Sequence, residues 1–202
     1  MPEDRTLLID IPMPIETPRL TLRNVLPGDG KEMHAAKMQT WEMLHRWMPW
    51  ATDIGTEEDS EANIRQAYAD FILRKDLRVH GFEKSSGEMV VFTGLHRFDW
   101  KIGRFEIGYW VRKDAQGKGY ATEAANALTR YALKVLGAKT VVIDYAEGNE
   151  KSQRVIEKLG FEKEGCAKKD LLLPDGTVAN RYRWSRENLD GLPALDVTWE
   201  TP

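Results

Sequence analysis

The sequence has little of several features that would narrow its function at once. Cys166 is the only cysteine among 202 residues, which excludes a disulfide framework within the chain. No apolar run approaches the roughly 20 residues of a membrane-spanning helix, so we expect no membrane partner. The net charge is only -3, and this balance predicts no nucleic-acid partner.

Targeting and metal-binding patterns are also missing. The segment before Arg19 has no basic start and no small-residue cleavage site, and its apolar run Leu7–Ile9 is too short for a signal peptide. We therefore expect a cytoplasmic protein. The four histidines show no metal-ligand spacing, so we expect no metal. All four lie at position 96 or earlier, and we interpret Cys166 as structural rather than as a nucleophile.

The chain does contain a regular order of strand and helix patterns, in a length typical of one domain. A first strand is predicted at Leu20–Arg23, and helical patterns cover Gly30–Met48 and the stretch from a capping box at Thr56–Asp59 to about Lys75. Further strands are predicted at Arg78–Glu83, Met89–Leu95, Phe105–Val111, Val141–Asp144, Ala167–Leu173 and Thr177–Trp184. This order predicts an α/β fold in which helices cover both faces of one mixed, mostly antiparallel sheet.

The most informative stretch is the glycine loop, which we define as Gln116–Ala121, between a strand pattern and an alanine-rich helical pattern. A strand that turns through glycines into a helix presents backbone N–H groups at the positive end of the helix dipole, which suits a diphosphate. A P-loop needs Ser or Thr after the lysine, whereas Gly119 follows Lys118. A dinucleotide fingerprint needs a third glycine, where Thr122 stands. Neither ATP nor NAD is therefore favoured.

The loop instead resembles the motif Gln/Arg-x-x-Gly-x-Gly/Ala of the GNAT superfamily of acyl-CoA-dependent N-acetyltransferases. The next strand is followed by Asn149, Ser152 and then Gly160-Phe161, an order similar to the family's next motif. The similarity is greatest to the branch that acetylates the N-terminal alanine or serine of ribosomal proteins. The resemblance implies the GNAT fold, in which a splayed pair of strands receives acyl-CoA.

The resemblance covers residues 17–186 and implies one acetyltransferase domain there. Residues 1–16 are then an N-terminal leader, and residues 187–202 are a C-terminal tail that is either disordered or packed on a partner subunit.

Acetyl-CoA is the co-substrate that the resemblance implies. Backbone N–H groups of the glycine loop would hold its diphosphate, and Asn149 would both cap its helix and bond the pantetheine arm. Gly108 offers no side chain where that arm approaches the strand backbone. The predicted cofactor-binding residues are Ile107, Gly108, Tyr109, Trp110, Val111, Gln116, Gly117, Lys118, Gly119, Tyr120, Ala121, Thr122, Asn149 and Ser152.

Glu106 is the predicted catalytic base. It lies on the strand before the glycine loop, and the two-residue period puts it on the face of Gly108 and Trp110. In the family, a strand glutamate at this place accepts the proton of the amine, often through water. The alternative is a solvated or ion-paired glutamate beside Arg104.

Ser152 is the predicted catalytic acid, because a serine at this place in the related branch is proposed to protonate the leaving thiolate. The alternative is a residue that only starts its helix, and Tyr145 and Tyr182 are other candidates for the proton donor.

One segment contains three tryptophans and several methionines. Their apolar surface is larger than the packing of one helix on the core requires. The tryptophans are Trp41, Trp47 and Trp50. We predict these tryptophans as a wall for a peptide or an apolar amine. Core packing and a homodimer contact are the alternatives.

The sequence thus predicts an acetyl-CoA-dependent N-acetyltransferase in which a protein N-terminal amine attacks the thioester directly. Within this class, the alternative acceptor is a small-molecule amine such as an aminoglycoside, a polyamine or an amino acid. Outside the class, the alternative is a CoA-binding sensor module without catalysis.

Overall fold

The computed structural model describes residues 3–200, and these residues form one sheet of nine strands. The strands are β1 Ile15–Glu16, β2 Leu20–Asn24, β3 Leu77–Glu83, β4 Met89–Asp99, β5 Arg104–Val111, β6 Thr140–Ala146, β7 Glu162–Leu172, β8 Val178–Arg186 and β9 Thr198–Trp199. They lie in the order β7-β8-β6-β5-β4-β3-β2-β1-β9. Only β5 and β6 pair in parallel in this described sheet. The predicted mixed, mostly antiparallel sheet is confirmed.

Helices cover both faces of the sheet, as predicted. They are α1 Gly30–Trp47, α2 Glu57–Ile72, α3 Tyr120–Lys134 and α4 Glu150–Lys158. α1 and α2 pack on the face that carries Phe92 and Trp110. α3 and α4 pack on the opposite face, which carries Phe105 and Ile107. No helix within residues 3–200 is long and apolar enough to cross a membrane.

The sheet extends beyond the predicted domain limits of residues 17 and 186. β1 belongs to the predicted leader and β9 to the predicted tail, and Ile15 is the register partner of both Leu22 and Trp199. Leu192 is buried, and the carbonyl of Pro193 accepts a hydrogen bond from Asn126 on α3 at 2.9 Å. The two end segments therefore help to complete the core, although two-residue strands give no periodic pattern in the sequence.

The parallel pair of strands separates part of the way along. β5 pairs with β6 only over Arg104–Glu106, opposite Thr140–Val142. β5 then continues to Val111 paired with β4 alone. The result is a gap in the middle of the sheet, between β5 and β6, which is the splayed strand pair that the resemblance implies.

α2 begins with the predicted capping box. The N–H of Asp59 donates to Thr56 Oγ1 at 3.1 Å, and the N–H of Thr56 donates to Asp59 Oδ2 at 2.8 Å. The helix ends at Ile72, so the predicted end near Lys75 is wrong. Arg74 has a φ of 57°, and a residue in this left-handed region commonly terminates a helix.

Thr56→Ala removes an acceptor for the first-turn N–H groups of α2, so we expect the free energy of unfolding to fall by about 1 kcal/mol. Urea unfolding followed by circular dichroism measures the difference. Thr56→Ser keeps the hydroxyl and is the matched control, with a smaller expected loss. Equal stability of Thr56→Ala and the wild type would contradict this role of the capping box.

Candidate active site at the splayed strands

The backbone groups of β5 alternate between the two sides of the strand. The N–H of Arg112 donates to the carbonyl of Val90 at 3.0 Å, and the two-residue period of the ladder directs the backbone groups of Gly108 and Trp110 to β4 as well. The indole of Trp110 also stacks on Phe92, with ring centroids 3.6 Å apart. Gly108 and Trp110, two of the predicted cofactor-binding residues, thus have their backbone groups in the ladder rather than in the gap.

The intervening residues Ile107, Tyr109 and Val111 direct their backbone groups away from β4. Because β6 pairs only as far as Glu106, the N–H groups of Tyr109 and Val111 face the gap. The carbonyl of Val111 already accepts a hydrogen bond from Gln116 Nε2 at 3.3 Å. The predicted set of strand donors therefore narrows to two N–H groups, which an extended ligand chain could meet along β5.

The glycine loop connects this strand to α3. Gly117 and Gly119 have φ angles of 77° and 88°, in the left-handed region that favours glycine. The first hydrogen bond of α3 runs from the N–H of Glu123 to the carbonyl of Gly119, at 3.0 Å. The N–H groups from Gly117 to Thr122 consequently have no acceptor within residues 3–200, and they lie at the positive end of the helix dipole. This arrangement suits an anionic diphosphate.

A latch that sequence reasoning missed holds the loop, and we call it the Arg19–Glu123 latch. Buried Glu123 accepts hydrogen bonds from Thr17 Oγ1 at 2.7 Å and from Arg19 Nε at 2.6 Å. Arg19 Nη1 donates to the carbonyl of Lys118 at 2.8 Å. Because C=O and N–H point in opposite directions across a trans peptide, the N–H of Gly119 is directed away from Arg19. The latch therefore sets the orientation of a loop donor.

The cations near the loop differ in their availability. Arg112 donates to Asp114 at 2.7 Å and to Glu88 at 2.8 Å, and the hydrogen bond to Asp114 is the main cause that raises its pKa. Lys118 is exposed, and its ammonium makes no hydrogen bond or ion pair in the part of the chain that the structure describes, although, with the hydrogen bond from Arg112, its charge lowers the pKa of Asp114. Lys118 is therefore the loop cation that fits the predicted phosphate contact.

The first turn of α4 lies on the same side of the sheet as Tyr109. Asn149 caps the helix, since its Oδ1 accepts the N–H of Ser152 at 3.2 Å. Ser152 Oγ lies 3.0 Å from the Tyr109 hydroxyl, and burial raises the pKa of that hydroxyl above its ordinary value. The neutral phenol can therefore share a hydrogen bond with Ser152. The other candidate acids, Tyr145 and Tyr182, stack on each other with centroids 5.5 Å apart.

Glu106 lies on the opposite face of the sheet, where it is 5% exposed. Both of its oxygens accept hydrogen bonds from Arg97, and the Nε to Oε2 distance is 2.8 Å. Arg97 has a φ of 41° at a register shift of β4, and a bulge of this kind can re-aim a side chain. Glu106 is thus ion-paired, with Arg97 in place of the Arg104 that we considered. Its role as a base stays a prediction.

His96 also escaped prediction, because it belongs to no motif. It is the register partner of Glu106 on β4, and its Nδ1 lies 2.7 Å from Asp76 Oδ2. The imidazole lies over a pair of facing glycines. A Cβ added at Gly94 would be 2.8 Å from His96 Cε1, and one added at Gly108 would be 3.1 Å from Cδ2. These glycines give the ring the room to lie against the sheet.

The three predicted substrate-binding tryptophans lie in different surroundings. Trp47 reaches the loop between β6 and α4, since a Cβ added at Gly148 would be 3.6 Å from Trp47 Cη2. Trp41 packs against the core under α1, and Trp50 is 52% exposed. Trp47 is thus placed beside the loop that leads from β6 to α4.

The lone cysteine and the possible metal ligands form no second site within the described residues. Cys166 lies on the outer strand β7, where its side chain is exposed. No group of three or more His, Cys, Asp or Glu side chains within residues 3–200 could hold a metal ion.

Glu123→Ala removes the acceptor at the centre of the latch, so we expect the affinity for CoA to fall about tenfold, equivalent to about 1.4 kcal/mol. Isothermal titration calorimetry with CoA measures the change, and the melting temperature without ligand shows whether the fold survives. Glu42→Ala, on the exposed side of α1, is the matched control. Unchanged affinity in a folded Glu123→Ala protein would show that the latch does not orient the loop.

Comparisons with known proteins bear on this geometry. The acetyltransferase (GNAT) domain family matches residues 19–162. The Bacillus subtilis (strain 168) protein named "Putative ribosomal N-acetyltransferase YdaF" is 31% identical over 159 residues, which cover 75% of this chain and 82% of that protein. The ribosomal protein uS5-alanine N-acetyltransferase of Escherichia coli (strain K12) is 40% identical over 92 residues, 46% of this chain and 44% of that enzyme.

A solved structure of the microcin C7 self immunity acetyltransferase MccE, in complex with acetyl-CoA and AMP, is 25% identical. It covers 85% of this chain and 93% of its own, with a TM-score of 0.78. The family match contains the glycine loop and the start of α4, the two segments on which the resemblance rested. The chain therefore belongs to the GNAT acetyltransferase family and is an acyltransferase related to the ribosomal-protein N-acetyltransferases.

Proposed function

We propose that this protein transfers the acetyl group of acetyl-CoA to the N-terminal amine of a protein. The observation that carries the proposal is the gap between β5 and β6. It brings the N–H groups of Tyr109 and Val111 next to a glycine loop whose own N–H groups have no acceptor within residues 3–200. A ligand that carries a thioester arm and a diphosphate needs strand N–H groups for the arm and loop N–H groups for the diphosphate, and the two sets follow each other here along β5 and the loop.

Acetyl-CoA fits the donors that the chain offers. The diphosphate would accept hydrogen bonds from the glycine loop, with Lys118 as an added cation, and the pantetheine arm would follow β5. The N–H of Tyr109 is then the donor that polarises the thioester carbonyl, since it is the donor that lies deeper along β5 towards Glu106. MccE, with acetyl-CoA in its structure, supports this choice of co-substrate.

The reaction needs a neutral amine, a polarised carbonyl and a proton for the leaving thiolate. The amine nitrogen attacks the carbonyl carbon, the new C–N bond forms, and the C–S bond breaks. Ser152 supplies the proton to the sulfur in our proposal, because its hydroxyl is hydrogen-bonded to Tyr109 on the wall of the gap. Glu106, the base predicted from the sequence, lies on the other face beside the acceptor side of the gap.

The acceptor is proposed from the names of the relatives and from the position of Trp47. The uS5-alanine enzyme is named for a protein acceptor, and it shares 40% identity with this chain over 92 residues. Trp47 lies beside Gly148 at the start of the loop that leads to α4, where an aromatic wall can pack against an extended peptide. A second candidate acceptor is a small-molecule amine, which the similarity to MccE favours.

We expect the protein to acetylate peptides that begin with a free alanine or serine, and not the same peptides with a blocked N-terminus. Thiol release from acetyl-CoA and the mass of the product measure the transfer. Polyamines and aminoglycosides form the small-molecule arm. Binding of acetyl-CoA without transfer to any of these amines would support the sensor module, and absence of acetyl-CoA binding would reject the whole proposal.

Ser152→Ala removes the proposed proton donor, so we expect kcat to fall by roughly 10²-fold while the KM for acetyl-CoA changes little. Tyr109→Phe is the companion variant, since it removes only the hydroxyl that is hydrogen-bonded to Ser152. We expect a smaller loss from it. A wild-type kcat in Ser152→Ala would assign this serine to the helix cap alone.

A further inference from the structure

We propose that His96, oriented by Asp76, accepts the proton of the acceptor amine. The proposal rests on the acetyl transfer proposed above and names a further catalytic residue for it. Neither residue lies in the glycine loop or in the Asn149–Ser152 segment, and only their positions in the fold bring them to the gap.

The contact with Asp76 fixes which nitrogen of the ring is basic. Nδ1 of His96 lies 2.7 Å from Asp76 Oδ2, and an ionised carboxylate can only accept a hydrogen bond. In the neutral imidazole, Nδ1 therefore carries the hydrogen and Nε2 carries the free lone pair. Nε2 has no hydrogen-bond partner within residues 3–200, and the side chain is 19% exposed. The basic nitrogen is thus unpaired, on a side chain that is partly exposed.

The position of Nε2 relative to β5 suits proton transfer at the gap. A Cβ added at Gly108 would lie 3.5 Å from His96 Nε2. Gly108 directly precedes Tyr109, whose N–H faces the gap. An amine that approaches the carbonyl bound by this N–H, from the α1 and α2 side of the sheet, would come close to Nε2. The facing glycines at 94 and 108 are what let the imidazole lie there.

Glu106 is less available than His96 for the same task. Both of its carboxylate oxygens accept hydrogen bonds from Arg97, so it could bind the proton only by giving up part of that pair. As the register partner of His96, its charge instead favours the imidazolium that forms during the reaction. We therefore assign Glu106 to electrostatic support and His96 to proton transfer.

Other charged groups around His96 act in both directions. Asp76 before β3 and Glu106 on β5 stabilise the protonated ring, whereas Arg97 on β4 and Arg78 on β3 oppose it. Burial lowers the pKa of the neighbouring His80 to about 3, so that ring is neutral over the working range. Asp144 on β6 lies further along the same face, where it pairs with Arg183 at 2.7 Å.

The proposed step conserves atoms and charge. The lone pair of the neutral amine forms the C–N bond to the thioester carbon, and one N–H proton passes to Nε2. The C–S bond breaks, the thiolate takes a proton from the Ser152 hydroxyl, and Ser152 regains a proton from solvent. His96 returns its proton to solvent, and Asp76 holds the Nδ1 hydrogen throughout.

The test is the pH profile of kcat/KM for a peptide with a free N-terminal alanine. We expect His96→Gln to lower kcat by roughly 10²-fold or more and to abolish the imidazole limb, in which activity falls as the pH falls. The KM for acetyl-CoA should stay unchanged. We expect Asp76→Asn to give a smaller loss, and Glu106→Gln to retain the limb. His34→Gln is the matched control, since His34 contacts Ser60 between α1 and α2.

The opposite pattern overturns the proposal. If His96→Gln keeps the wild-type kcat and the fall of activity at low pH, and Glu106→Gln loses both, Glu106 is the base. A second measurement needs no acceptor. The ¹⁵N spectrum of the imidazole, with acetyl-CoA bound, should show the tautomer protonated at Nδ1, and the Nε2–H tautomer would exclude His96 as the base. If the wild type acetylates no amine, the acetyl transfer itself is rejected. The tautomer then still shows whether Asp76 holds the Nδ1 hydrogen of His96.

Discussion

The parting of β5 from β6 after Glu106 is the constraint on which the rest of the site depends. A continuous ladder would pair the backbone groups of both strands and leave no free N–H donor for a ligand. Here the pairing stops at the opposite pair Glu106 and Val142, and β5 keeps its other ladder with β4. The strand therefore stays rigid while one side of it offers donors. α3 follows β5 and α4 follows β6, so both helices begin beside this gap.

Contacts between distant parts of the chain prepare the gap before any ligand arrives. The Arg19–Glu123 latch joins the start of the domain to the first turn of α3. Thr40 on α1 accepts the N–H of Lys113 at 3.0 Å, just before the glycine loop. Preorganised donors lose little entropy when a ligand binds, so such contacts would raise the affinity of the proposed diphosphate site. The gap is thus a feature of the whole fold rather than of one motif.

The sequence could predict the parts of this protein that depend on local patterns. The sheet, its helices and the capping box at Thr56 follow from periodicity, and the glycine loop follows from the backbone conformations that Gly117 and Gly119 permit. The family match confirms the resemblance that these residues suggested. β1 and β9 were not predicted as strands, because a two-residue strand carries no period.

Side-chain pairs that form between elements could not be predicted in the same way. Arg97 reaches Glu106 because a bulge interrupts the two-residue period of β4, and alternation alone assigns it to the wrong face. His96 meets Asp76 because the fold places the start of β3 beside β4. The latch likewise needs β2 and α3 to be folded. In each of these pairs at least one partner lies outside the motifs, where no sequence pattern identifies it.

The most direct measurement of the central claim is a titration of the labelled protein with acetyl-CoA, followed through its backbone amide resonances. The account predicts large shifts for the N–H groups of Tyr109, Val111 and the stretch from Gly117 to Thr122, with little change in β2 and β3. Shifts confined to other strands, with these amides unmoved, would contradict the claim that the gap and the glycine loop bind the co-substrate.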